Sequence, residues 1–192
     1  MNYLGHAYLT PKNSDLLIGN YLGDHVKGKL KERYPEFIQQ GIRLHRFIDH
    51  YTDTHKIVRS HCELMEKDLG HLSGVAMDML YDHVLGKNWS DFSDIPLEEY
   101  SQKVFAECMN YKKYFPEKFE FMFRYMRRDN WLMAYATEEG ILRALNGLSR
   151  RIRFENNLPD CFPLFLKHEE EITEGYFEFM KDIQNEIRQQ FS

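Results

Sequence analysis

The chain has 192 residues, a net charge of −5, and 43% hydrophobic and 15% aromatic residues. That is enough apolar material for one well-buried domain and short for two, and it excludes a disordered chain. The acidic balance gives no global pull towards nucleic acid or anionic membrane, and no nucleic-acid motif is recognised.

The N-terminus, Met1-Asn2-Tyr3-Leu4-Gly5-His6, lacks the basic region and long apolar run of a signal peptide. No apolar stretch approaches the ~20 residues that span a bilayer. Cys62, Cys108 and Cys161 form no CxxC or zinc-ribbon spacing and read as reduced thiols. A soluble cytoplasmic protein is expected.

A helix over 14–28 follows the capping stretch Pro11-Lys12-Asn13-Ser14, with Leu17, Ile18, Tyr21 and Leu22 at helical spacing. Pro35 opens a long segment, 35–54, striped by Leu44, Phe47, Ile48 and Tyr51. Residues 56–68 extend it or form a further helix. From 71 to 87 the chain is apolar on nearly every side, which predicts a central buried helix. A loop over 88–96 is followed by helices at 97–112, 116–127, 138–149 and 164–190. No segment alternates convincingly with a period of two, so strands are not expected. The prediction is one all-α domain, a helical bundle spanning 1–192.

Three stretches place acidic and imidazole or amide groups one helical turn apart: Asn20/Asp24, His45/Asp49 and Asp78/Asp82. At 100° per residue, His45 and Asp49 are about 40° apart, on the flank of the apolar stripe, and can point into a cleft. Asp78 and Asp82 repeat the relation on the most buried-looking helix, with His83 next. Burying several carboxylates is costly unless they face cations, protons or a metal. Oxygen and imidazole groups from three helices suit a Mn²⁺, Mg²⁺ or Fe²⁺ hydrolase, in which the metal acidifies water and neutralises phosphate oxygens. Other readings stand beside this one. His45/Asp49 also fits a surface pair, and Arg43 and Arg46 could balance the carboxylates as a buried ion network. His50, Asp53, His55 and His61 read as solvated or capping residues.

These residues carry a family resemblance. Met1-Asn2-Tyr3-Leu4-Gly5-His6, Gly19-Asn20-Tyr21-Leu22-Gly23-Asp24-His25-Val26-Lys27-Gly28, Gly41-Ile42-Arg43-Leu44-His45-Arg46-Phe47-Ile48-Asp49, Thr52-Asp53, Asp78-Met79-Leu80-Tyr81-Asp82-His83-Val84-Leu85 and Trp89 resemble the bacterial acyl carrier protein phosphodiesterase family, distant relatives of HD-domain phosphohydrolases. Similarity is weaker in Trp131-Leu132 and in 145–151. The resemblance implies a modified HD-like helical bundle. It also implies Mn²⁺-dependent hydrolysis of the phosphodiester joining 4′-phosphopantetheine to a carrier-protein serine. The adjacent His-Asp pair of the wider superfamily is absent; the order is reversed in Asp49-His50 and Asp82-His83.

On that reading Asp24, His45, Asp49, Asp78 and Asp82, joined by His6, are the candidate ligands of one or two divalent ions. His45 or His83 would protonate the serine leaving group. Arg43 and Arg46 would grip the non-bridging oxygens, and Asn20 would orient water or bind phosphate. Acyl carrier proteins are small and strongly acidic, so a basic face is expected. Arg143, Arg150, Arg151 and Arg153 form one such cluster, and Arg124, Arg127 and Arg128 a second; charge segregation on solvated helices explains either equally well. Two alternatives remain: an HD-type phosphohydrolase acting on nucleotides or another small phosphoester, and a non-catalytic helical binding protein.

Overall fold

A computed structural model of the protein describes residues 1–12, 14–28 and 33–191. Its helices, in chain order, are α1 (Tyr3–Leu9), α2 (Ser14–Leu22), α3 (Glu36–Thr54), α4 (Lys56–Leu69), α5 (Ser73–Lys87), α6 (Leu97–Asn110), α7 (Glu117–Arg128), α8 (Trp131–Ala134), α9 (Glu138–Ser149), α10 (Cys161–Lys167) and α11 (Glu169–Phe191). There is no strand among the described residues. The fold is all-α, as the periodicity predicts.

Prolines set three of the starts. Pro35, Pro96 and Pro116 sit at the N-caps of α3, α6 and α7 with φ near −60° and extended ψ. A ring that fixes φ and donates no N–H is harmless there. The predicted capping role of Asn13 and Ser14 lies outside the described side chains.

Two predicted elements differ. The helix expected over 14–28 ends at Leu22; Gly23–His25 form a 3₁₀ turn and Val26 is extended. The helix expected over 164–190 is two, broken at His168, where φ is −121°. Residues 164–167 belong to α10, which runs apolar into the core through Cys161, Phe162 and Phe165. α1 and α8 were not foreseen; both are too short to show a helical period.

α5 is the axis of the bundle, and its burial follows its composition. Ala76, Met77 and every residue from Met79 to Gly86 are buried. Fully burying one Leu, Val or Met side chain contributes roughly 1.5–3 kcal/mol, so this helix supplies a large share of the hydrophobic drive. The other helices pack around it by their amphipathic faces, α11 contributing Tyr176 and Phe179 against Tyr81.

The approach of α2 to α3 is what positions the site. A methyl group built on Gly19 would lie 2.3 Å from the Ile38 carbonyl oxygen and 2.7 Å from Gly41 Cα. Only glycine on both sides lets the two backbones come this close. The turn after α2 then lies directly over His45 of α3. A methyl group on Gly23 would fall 2.1 Å from the His45 ring.

Candidate metal centre

α1 has seven residues, too few to be stable alone. Its unpaired N-terminal amides are held by another helix. Asp82 of α5 accepts from the Asn2 and Gly5 amides through Oδ1, at 3.2 and 3.0 Å, and from the Leu4 amide through Oδ2, at 2.7 Å. Burial pushes the Asp82 carboxyl up to about 7, against the pull of the Met1 ammonium and the three amides. Asp78, one turn earlier and half-buried, pairs with the Met1 amino group.

Fixed in this way, α1 delivers His6 to the middle of the fold, with 4% of its side chain exposed. Asn20 of α2 settles the tautomer of its ring. The Asn20 Nδ2 donates to the His6 carbonyl at 2.9 Å and to Thr10 Oγ1 at 2.8 Å, which leaves Oδ1 facing His6 Nδ1 at 2.8 Å. That oxygen only accepts, so Nδ1 carries the proton. Burial lowers the His6 pKa despite the nearby Asp49, so the ring is neutral and Nε2 presents a lone pair. It faces Asp49 Oδ1 at 3.0 Å.

His45 lies against His6, the rings stacked with centroids 4.3 Å apart and planes 18° from parallel. Its Nε2 is 3.1 Å from Asp49 Oδ2 and 3.2 Å from Asp24 Oδ1. Burial disfavours charge on this ring, but Asp24 and Asp49 outweigh it and push its pKa up to about 9. Asp49 is held well below the usual carboxylate range; burial opposes this, and the bond from the charged His45 ring prevails. Asp24 is lowered as well, chiefly by its bond to His45. Asp24 stands at the lip with 68% of its side chain exposed, and Asp49 with 38%.

One ligand atom each from His6, His45 and Asp49 lies within 4.8 Å of the others, so the three form a group that could hold a metal ion. The hydrogen bonding fits that use. Neutral His6 Nε2 and an ionised Asp49 oxygen bring two lone pairs together with no proton to share. A doubly protonated His45 would leave its buried Nδ1 proton without a partner. A cation bound by both Nε2 atoms and Asp49 removes the first conflict and takes the second charge off the His45 ring, whose Nδ1 proton has no partner in either state. Asn20 is then the outer partner that orients a ligating histidine.

Of the residues singled out in the sequence, the fold brings together His6, Asn20, Asp24, His45 and Asp49. Asn20 sits behind His6, fully buried, with both amide atoms used. Asp78 and Asp82 lie on the far side of α1, at the Met1 amino group and the α1 amides. His83 leaves the opposite face of α5, where Nδ1 donates to the Tyr135 carbonyl at 2.7 Å between Phe162 and Phe165. Arg43 pairs with Glu36 on the exposed face of α3, and Arg46 is exposed on the same helix. Arg143 pairs with Glu139, while Arg150 and Arg153 are exposed beyond α9. His61, read as solvated or capping, is buried and bonded to the Tyr81 hydroxyl at 2.8 Å; α11 covers it at Gly175.

Four contributors escaped the sequence reading. Thr10 accepts from Asn20, and Gly23 makes room for His45. Tyr3 and His25 meet at 3.4 Å beside Asp24. The dipeptide Asp24-His25 carried a signal, since the turn that places one at the lip places the other.

Residues 1–183 match the family model described as acyl carrier protein phosphodiesterase. A protein of that name from Escherichia coli O6:H1 is 32% identical over 157 residues, 81% of each chain. Another from Photorhabdus laumondii is 32% identical over 156 residues, 79% of this chain and 77% of its own. One from Shigella boydii serotype 18 is 32% identical over 157 residues, again 81% of each. No solved structure matches. No helix among the described residues is long and apolar enough to cross a membrane.

Proposed function

The chain belongs to the acyl carrier protein phosphodiesterase family, and from that premise we propose that it cleaves the phosphodiester between 4′-phosphopantetheine and a serine of an acidic acyl carrier protein. We place that reaction at the His6–His45–Asp49 group, with one divalent cation, Mn²⁺ by the resemblance, and in the cytoplasm, where the three free cysteines stay reduced. The observation that carries the reading is the lone-pair conflict between His6 Nε2 and Asp49.

When bound, the cation would supply an acidified water and a counter-charge for phosphate oxygens. The protein's own part is positional. Asn20 fixes the His6 proton on Nδ1 and so aims Nε2 at the cation. His45 contributes its Nε2 lone pair, a use that excludes it as the proton donor. Asp24, ionised and exposed at the lip, adds a second carboxylate beside His45 and faces incoming substrate. Serine alkoxide is a poor leaving group and needs a proton. His83 lies on another face of α5, so we assign that proton to His25, which lies beside Asp24 and bonds Tyr3. Arg150 and Arg153, with Arg143 and Arg151, would meet the acidic carrier.

The test is conversion of holo-carrier protein to its apo form by the purified protein with Mn²⁺, read by intact mass. Conversion that stops with EDTA and with Asp49→Ala supports the reading. Conversion of small phosphoesters or nucleotides alone would favour a different phosphohydrolase. Absence of both bound metal and turnover would favour a binding protein.

A further inference from the structure

The lip formed by Asp24 opens into a cavity of about 430 Å³ between α5 and α9. Val75 and Met79 form one wall and Ala144 and Leu148 the other, closed by Trp131 and Tyr135. Asp24, Asp78, Asp129 and Arg143 also line it, but each is paired, with His45, the Met1 amino group, Arg128 and Glu139 in turn. A cavity of this size and lining therefore suits a small elongated molecule with little charge along its length. On the far side of Trp131 a shallower groove of about 890 Å³ runs over α7. Cavity and groove share four residues: Met122, Trp131, Gly147 and Arg151.

Arg151 stands at the junction. Its Nε donates to the Gly147 carbonyl, and it makes no ion pair among the described residues. It lies close enough to Tyr3 and Tyr135 to favour ionisation of both hydroxyls against their burial. Gly147 occupies the interior of α9, where glycine weakens a helix. No neighbour requires it: a methyl group built there meets nothing within 4 Å. Two other helical glycines, Gly19 and Gly41, are demanded by a backbone; Gly147 borders only empty space.

The groove has a different character. Phe121 is 60% exposed and Tyr125 36%, and Lys118, Arg124 and Arg151 lie among them. Of its two carboxylates, Glu117 and Glu120, the second is already paired with Lys112 at 3.0 Å. An excess of cations around exposed aromatic rings, on a chain of net charge −5, matches an acidic protein surface with apolar side chains of its own.

Building on the proposed reaction, we propose that the cavity seats the pantetheine arm and the α7 groove seats the carrier protein, with Arg151 holding the phosphate where they meet. The arm is mostly methylene, methyl and amide groups with one anionic end, which suits apolar walls and a single unpaired guanidinium. The carrier's body cannot enter the cavity and lies outside it, on Phe121, Arg124 and Tyr125.

The two seats separate by calorimetry with free 4′-phosphopantetheine and with apo-acyl carrier protein. Gly147→Phe should weaken phosphopantetheine binding at least tenfold, with melting temperature no lower and Mn²⁺ affinity unchanged, because the new ring enters open space. Arg124→Glu combined with Phe121→Ser should weaken apo-carrier binding at least tenfold and leave phosphopantetheine binding intact. Arg151→Gln should weaken phosphopantetheine binding. Wild-type binding of phosphopantetheine by Gly147→Phe, in a protein that still converts holo-carrier, overturns this inference and leaves the proposed reaction standing. A wild-type protein that neither converts holo-carrier nor binds phosphopantetheine overturns both.

Discussion

His6 Nε2 and Asp49 Oδ1 lie 3.0 Å apart with no proton between them, because Asn20 holds the single imidazole proton on the other nitrogen. The Asn20 contact therefore decides whether the group binds a cation well. Asn20→Ala should lower Mn²⁺ affinity by about 10–100-fold, the usual effect of losing an outer partner of a ligating histidine. It also strands the buried His6 Nδ1 proton, at a cost of about 1–3 kcal/mol, while the Thr10 hydroxyl and the His6 carbonyl keep their bond to each other. Metal titration followed by tryptophan fluorescence, beside a chemical melt, separates the two effects.

Without metal, stability should depend on pH through the same cluster. His45 is raised from 6.5 to about 9, so the stability it contributes is fully present below pH 6.5 and lost as pH rises through 9. Asp24 and Asp49 are lowered, so theirs is present above the ordinary carboxylate range and lost as acid is added. With EDTA present, melting temperature should peak near pH 5–6 and fall towards pH 9, the His45 share being about 3 kcal/mol at most. Mn²⁺ should reverse the alkaline limb, because protons and the cation compete for the same nitrogens. A flat alkaline limb in EDTA would remove the His45–Asp49 coupling.

Asp82 is expected to behave as a structural residue. Asp82→Ala leaves three buried amides of α1 unmet and should cost roughly 3–5 kcal/mol in a denaturant melt. Asp82→Asn keeps one acceptor but turns an NH₂ towards an amide donor, and should cost about 2 kcal/mol. Loss of Mn²⁺ affinity from Asp82→Asn with no loss of stability would instead return Asp82 to the ligand set.

The glycines should divide by what surrounds them. Gly147→Ala should stabilise the protein by about 0.5–1 kcal/mol, as for any helical glycine with free space. Gly41→Ala drives a methyl into the α2 backbone, with the Leu16 carbonyl oxygen 2.3 Å away, and should cost about 3 kcal/mol or more. Gly23→Ala should act on the site, since the methyl displaces the His45 ring. Thermal melts and metal titrations of the three variants are enough to sort them.

Arg150 and Arg151 are adjacent but should differ in kinetics. Arg150→Glu should raise KM for a carrier-protein substrate, more so at low salt, and leave a small phosphodiester unaffected. Arg151→Glu should impair both, because its guanidinium lines the cavity as well as the groove. Equal effects of Arg150→Glu on both substrates would argue against docking.

The sequence made the long helices legible, and α5 above all, because an apolar run on every face has one comfortable place in a small bundle. It also marked His45 and Asp49 as a pair, since one helical turn is a local relation. The rest is not local. Asn2 caps α1 locally through the Tyr3 amide, but so short a helix is held only once Asp82, 77 or more residues away, takes the Leu4 and Gly5 amides. Asp24 and His45 meet because the α2 and α3 backbones close on Gly19 and Gly41, and no spacing rule encodes that approach. Asp78 and Asp82 illustrate the converse. One turn apart on the most apolar helix, they looked like the strongest ligand pair; both were answered by donors at the N-terminus of α1, which pattern reading cannot place. His61 looked solvated because helix α11, which covers it, is more than 100 residues distant.

α1 contributes a cluster residue, but its own helix is secured by α5. The Leu4 and Gly5 amides that Asp82 holds are therefore linked to events at His6, two and one residues away in sequence. A cation bound through His6 would tie α1 down from its other end. Hydrogen exchange at those two amides would act as a gauge of occupancy, slowing as the site fills.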